Sequence, residues 1–280
     1  MSLPFTEVRG LAPDHTPLGG EIQFELGTQD LPVPVKLRAS DALICARRLG
    51  FRLFGTPADI TDEWDEEIRA KGQAVDRAAK AAITRLYDGR TDVAFDLLPE
   101  FALGGYGDAV YGTDPVVAVE VKSVSTKKMM GLLGNWQHTP AGPDAAYICQ
   151  GALLGVAVGA DVVHIIVVDR DDATRLPAEW IIGMDDPLPH LPIVGVSDDG
   201  EIISETPRHM AIKEARRQTN VLRVVEAGRL PRREIPGYGV VLYPPAAGQQ
   251  GDPFQCKFCP WQPTCSRAGV DEVEDWASAS

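Results

Sequence analysis

Three side chains in the middle of the sequence have the types and spacing that hydrolytic chemistry needs: Asp108 after Gly107, then Glu120 and Lys122 within Val119-Glu120-Val121-Lys122-Ser123. Residues two apart on a strand project to one face, so Glu120 and Lys122 share a side of the sheet while Val119 and Val121 face the other way. Two charged groups thus interrupt an apolar, β-branched run. Burying a carboxylate or an ammonium there is costly unless it is partnered. A divalent cation removes that cost. Asp108 and Glu120 are hard oxygen donors of the kind Mg²⁺ takes, with waters filling the shell. Lys122 then stands where it can orient the attacking water or help deprotonate it, while the metal stabilises charge on a phosphate in transit. A bare Glu-x-Lys is also what an ordinary ion pair on a half-exposed strand leaves in a sequence.

A second group lies near the C-terminus, in Cys256-x2-Cys259-x5-Cys265. Two thiolates separated by two residues can chelate one centre from a single turn, and a third nearby strengthens the reading. The fourth ligand is a choice between Cys45 and Cys149. Cys149 sits in an Ala- and Leu-rich helical stretch, where a buried apolar thiol is the ordinary reading. Zinc suits any four-thiolate site, but the common zinc pattern has a second Cys-x2-Cys pair that is missing here, so the spacing favours iron–sulfur.

The elements that must position these groups read as a mixed α/β core. Helical patterning runs from Ser40, a candidate N-cap, through Phe54, and again over about 62–87. A strand-rich middle follows at 93–98, in a segment ending at 107–110, and at 116–124, with a turn at 112–115, as an antiparallel meander. Residues 143–160 read as a helix, 162–168 as a buried strand, 179–183 as a further strand and 207–227 as a helix. Residues 1–36, rich in Pro and Gly, read as irregular with one hairpin. There is no internal repeat and no phosphate-binding Gly-x4-Gly-Lys-Ser/Thr loop, which argues against an ATP-driven motor.

With 280 residues and 44% hydrophobic content the chain can bury a substantial core without disulfides. Five cysteines, three of them crowded together, do not suit a secreted disulfide framework. No basic-then-apolar leader opens the sequence and no long apolar window follows, so a soluble cytoplasmic protein with no membrane partner is expected. The net charge of −13 counts against a nucleic-acid partner. The acids are partly segregated, however, in 62–67 and 271–275. The stretch 208–233 is basic, and with Arg47 and Arg48 it offers candidate contacts to a phosphate backbone.

Gly-Asp at a strand end, a turn, Glu-x-Lys in a β-branched run and then a helix bearing Gln150 together resemble the PD-(D/E)XK nucleases of the RecB-like type. Asp108, Glu120 and Lys122 match the signature positions, and Gln150 looks like the glutamine of that subgroup, without the tyrosine that often follows it. Where the subgroup carries Gly-x3-His, this sequence reads Gly72-Gln73-Ala74-Val75-Asp76, with aspartate at the ligand position. The resemblance implies Asp108, Glu120, Lys122 and Gln150 as catalytic residues. It implies Mg²⁺ or Mn²⁺ held by Asp76, Asp108, Glu120 and Val121. Asp76 reads equally as a solvated helix residue paired with Arg77 or Lys80. The pattern of Cys45, three residues before Arg48, with a distal cysteine trio resembles the iron–sulfur nucleases, namely the AddB nuclease domain and the CRISPR-associated adaptation exonucleases. This implies a 4Fe-4S cluster on Cys45, Cys256, Cys259 and Cys265, with a structural role. The two resemblances cover about 38–169 and 254–266.

The expected architecture is a three-layer α/β/α restriction-endonuclease-like core with a mixed central sheet. An irregular segment at 1–37 precedes a nuclease domain at 38–245, and a cysteine-rich segment at 246–280 completes the cluster with Cys45. The implied activity is metal-dependent exonucleolytic hydrolysis of DNA in recombination, repair or phage DNA metabolism, with a helicase or a single-strand annealing protein as partner. The competing expectation is a catalytically idle subunit that keeps the fold to bind DNA ends.

Overall fold

The computed structural model describes residues 37–56, 63–97, 101–134, 142–172, 174–188, 195–196, 202–203, 205–231 and 259–260. The expected N-terminal hairpin, Cys256, Cys265, Arg232, Arg233 and the acid run 271–275 lie outside them. Among the described residues, no helix is long and apolar enough to cross a membrane.

The main sheet contains β1 (Leu37–Arg38), β2 (Arg90–Asp96), β3 (Leu103–Tyr111), β4 (Val117–Val124), β5 (Val162–Asp169) and β6 (Ala178–Gly183). Its order is β1-β3-β4-β5-β6, with β2 also pairing with β3. The meander β2-β3-β4 is antiparallel, β4 and β5 run parallel, and β6 returns antiparallel to β5. The sheet is therefore mixed. The parallel pair VAVEVKSV and VVHIIVVD forms the centre, as expected of near-continuous β-branched strands covered on both faces. A small hairpin, β7 (Gly195–Val196) with β8 (Ile202–Ile203), lies apart from it.

One face is covered by α2 (Glu63–Tyr87), whose Ile83, Ala79 and Tyr87 pack on Val117, Val119, Val121 and Ile166. Gly72 is what lets the helix lie close to β4, since a Cβ there would stand 3.1 Å from Ser123 Oγ. The other face carries α4 (Ala145–Val158) and, over it, α5 (Pro207–Glu226). The start of α4 is set by Asp144, whose carboxylate accepts from Ala146 N at 3.1 Å, and its end by Gly159 at φ 66°. Thr206 caps α5 by accepting from His209 N, and Pro207 takes the first helical position. The core of Leu37, Leu103, Ile148, Leu153, Leu154, Val163, Ile165, Met210 and Leu222 fills the space between sheet and helices.

The first helix is shorter than the pattern suggests. The expected run from Ser40 to Phe54 is a 3₁₀ turn (Ala39–Asp41), a break, and then α1 (Ala46–Leu53). The break has a physical cause. The buried Glu214 carboxylate of α5 accepts the Leu43 N–H at 3.0 Å, and Leu43 adopts φ 58°, so Cys45 rather than Ser40 becomes the N-cap position. A short helix that the sequence pattern did not indicate, α3 (Thr126–Leu132), follows β4 and is capped by Ser125.

Candidate active site

The site begins as a gap in backbone pairing. Gly104 of β3 pairs with Asp96 of β2 on one edge and with Arg38 of β1 on the other. Ala109 pairs with Thr91 of β2 on the first edge and with Val119 of β4 on the second. β1 and β4 therefore share one edge of β3, and among the described residues no strand lies beside Gly105 to Asp108 on that edge. At the end of this notch the Asp108 carboxylate takes over from the missing ladder, its Oδ2 accepting the Val121 N–H at 2.7 Å. Glu120 and Lys122 stand on the β4 side of the notch. Gly151 of α4 lets that helix close over Glu120, because a Cβ at Gly151 would lie 2.7 Å from Val163 Cγ1 and 3.2 Å from Glu120 Cβ.

Glu120 is 7% exposed and is ion-paired through Oε1 with Lys122 Nζ. Burial pushes its carboxyl up to about 7; the Lys122 charge opposes the shift and Asp108 adds to it. Asp108 is also raised, first by burial, against the pull of the Val121 N–H and of Lys122 and Lys80. Lys122 is raised as well: burial works against its charge, but the Glu120 and Asp108 charges prevail. Two acids from adjacent strands thus resist ionisation in a notch that brings both together. A divalent cation is the partner that favours ionisation of both, so the donor set fits one. Among the described residues, no three His, Cys, Asp or Glu side chains are gathered as a metal cage. At the notch the carboxylates are bonded to lysines instead.

The third acid comes from α2. Asp76 Oδ2 lies 2.9 Å from Lys80 Nζ, one turn on, and that ammonium also lies 2.6 Å from Asp92 Oδ1 and 3.6 Å from Asp108 Oδ1. Asp76 is close enough to raise the carboxyls of both Asp108 and Glu120. Of the two readings of Asp76, the structure shows the pairing with Lys80. Asp92 adopts φ 51° within β2 and falls opposite Asp108, between the pairs Thr91↔Ala109 and Val93↔Gly107.

Gln150 lies on α4, and its Nε2 donates to the Ser40 carbonyl at 3.3 Å. The α4 residue that stands over Lys122 is Tyr147, a turn earlier, with its ring centroid 5.8 Å from Lys122 Nζ and 4.7 Å from Lys128 Nζ. Lys128, on α3, is held by Asp144 Oδ2 at 3.2 Å. α3 itself is tied to β5, since Thr126 Oγ1 donates to Asp169 Oδ1 at 2.9 Å. Neither Tyr147 nor Lys128 belongs to a spacing pattern that the sequence exposes.

Several arginines considered for backbone contacts have other work. Arg47 is 2% exposed and donates from Nε to the Pro231 carbonyl at 2.9 Å. Arg217 makes a two-pronged pair with Glu214, and Arg208 another with Asp185. Arg216, Arg223 and Arg229 are exposed, and Arg223 donates to Asn220 Oδ1 at 3.2 Å. Of the cysteines, Cys149 is fully buried and its thiol is pushed well up by burial, whereas Cys45 and Cys259 are partly exposed. The chain leaving α5 crosses α1 closely: a Cβ at Gly50 would stand 2.5 Å from Pro231 Cδ.

No family model matches the sequence, and no curated protein matches it. Among solved structures, the fold is similar to that of an alkaline exonuclease (LHK-Exo) from Laribacter hongkongensis, at 16% identity and TM-score 0.43 over 69% of this chain and 89% of that one. The dAMP complex of LHK-Exo matches at 15% identity and TM-score 0.45 over the same shares. A protein named SSO0001 matches at 10% identity and TM-score 0.39 over 85% of this chain and 87% of that chain.

Proposed function

We propose that the chain is a metal-dependent nuclease of the PD-(D/E)XK type that hydrolyses phosphodiester bonds of DNA from an end. The observation that carries this reading is the notch between β3 and β4, where two buried carboxylates from adjacent strands, Asp108 and Glu120, meet a lysine two residues along. Asp108, Glu120, Asp76 and the main-chain oxygen of Val121 are the donors for Mg²⁺ or Mn²⁺. The bound ion supplies Lewis-acid polarisation of a phosphoryl oxygen and a more acidic water. Lys122, paired with Glu120 here, would hold the attacking water by hydrogen bonding and face the charge that develops on the phosphate. Tyr147 limits where the Lys122 side chain can go, and Lys128 on the far side of the site offers a second cation to the strand being cut. Gln150, fastened to Ser40, fixes the segment that leads into α1.

Cys45, Cys256, Cys259 and Cys265 are the proposed holders of a 4Fe-4S cluster. What supports this is that Pro231 packs against Arg47 and Gly50 of α1, the helix that Cys45 begins. Such a cluster joins distant parts of the chain, so its binding free energy becomes folding free energy.

End-labelled linear DNA and covalently closed circles, each incubated with Mg²⁺ or Mn²⁺, test the activity. Linear DNA should be consumed and circles spared, and Glu120→Gln should abolish the reaction while DNA binding persists. Comparable nicking of circles makes the enzyme an endonuclease. Wild-type cleavage by Glu120→Gln rejects the site altogether.

A further inference from the structure

We propose that Lys80 is a positioning residue that holds Asp76 and Asp108 at the notch and competes with a divalent cation for them. The inference rests on reading the notch as a metal site. An ordinary helix-surface pair joins one acid to one lysine, and both remain largely in water. Lys80 departs from this in each respect. Its side chain is 15% exposed, and its ammonium meets three carboxylates from three elements, Asp76 on α2, Asp92 on β2 and Asp108 on β3. The shortest contacts are to Asp76 and Asp92, at 2.9 and 2.6 Å, while Asp108 Oδ1 at 3.6 Å is held more loosely.

The two oxygens of Asp108 are divided, Oδ2 to the Val121 N–H and Oδ1 toward Lys80. A cation entering the notch needs Oδ1, and so meets the ammonium at that atom. The same ammonium keeps Asp76 and Asp108 from repelling each other in metal-free protein. Lys122 plays the corresponding part for Glu120. Removing the Lys80 charge leaves Asp76, Asp92 and Asp108 without the ammonium they share, so a cation meets less competition for them.

The test is Mn²⁺ binding to the full-length protein without DNA, followed by electron paramagnetic resonance of free Mn²⁺, on wild type, Lys80→Met, Lys80→Gln, Lys80→Arg and Glu120→Gln. Lys80→Met and Lys80→Gln should bind Mn²⁺ at least fivefold more tightly than wild type. In EDTA both should melt lower than wild type, and added Mn²⁺ should restore them. Lys80→Arg should bind as wild type does. Lys80→Gln keeps the side chain's polar end, so a folding failure of the Met variant leaves the affinity comparison in hand. Unchanged or weaker Mn²⁺ binding in the Gln variant, with wild type binding more tightly than Glu120→Gln, overturns the role of Lys80 and leaves the metal site standing. Equal binding by wild type and Glu120→Gln removes the metal site, and the role of Lys80 with it.

Discussion

If Glu120 is kept for a cation, then in the absence of one it should be a burden on the fold, and removing its charge should stabilise the protein that it inactivates. The size follows from the site. An isolated glutamate titrates at 4.5, and burial beside Asp108, only partly offset by Lys122, moves Glu120 up to about 7. Each unit is worth about 1.4 kcal/mol, so the ionised form costs the fold roughly 3 kcal/mol. The attraction to Lys122 is already included in that net shift. Between about pH 4.5 and 7 the folded protein holds a proton on Glu120 that the unfolded chain gives up. The stability contribution of this group is therefore present in acid and lost as pH rises through that window.

Glu120→Gln fixes the neutral form. In EDTA, urea unfolding at pH 5, 6, 7 and 8 should show the variant and wild type close together at pH 5 and diverging as pH rises. By pH 8 the variant should be more stable by about 3 kcal/mol, or roughly 6–12 °C in melting temperature for a chain of this size. Mn²⁺ at pH 8 should close the gap by stabilising wild type alone. A Glu120→Gln protein that is no more stable than wild type at pH 8, or a difference that does not change with pH, refutes the reasoning that this carboxylate is held against its own preference.

The remaining predictions address the supports of the site. Gly151→Ala should gain about 1 kcal/mol of helix propensity and lose a similar amount to crowding against Val163; stability should stay near wild type in thermal melts, while cleavage falls at least about tenfold because Glu120 is displaced. His164→Leu leaves the buried Glu179 without its partner at 2.9 Å, and should cost about 3 kcal/mol in urea unfolding. Cys45→Ala should empty the protein of iron and sulfide in elemental analysis of anaerobic preparations, whereas Cys149→Ala should keep both, and stoichiometric zinc in wild type would reject the cluster.

What was legible in the sequence, and what was not, follows from how local the causes are. The long helix Glu63–Tyr87 and the strands Val117–Val124 and Val162–Asp169 were legible because periodicity and β-branched runs are local signals. The alternation on β4 also gave the shared face of Glu120 and Lys122 correctly, since strand geometry alone decides it. The helix expected from Ser40 failed because its break is imposed by Glu214, 171 residues away, capturing the Leu43 N–H. The same carboxylate takes Arg217 out of the basic stretch, and Pro231 takes Arg47. In both cases the partner is tertiary, so the charge of an arginine read along the chain says little about the surface it faces. The notch itself is topological: among the described residues, β1 and β4 pair with the two ends of one edge of β3 and not with the stretch between. Asp92 and Lys80 enter the site through that topology, Asp92 by falling opposite Asp108 and Lys80 by lying a turn from Asp76 on a helix that Gly72 allows close to β4. A sequence pattern shows the Asp76–Lys80 spacing but not the second and third carboxylates, Asp92 and Asp108, that make it more than a helix-surface pair.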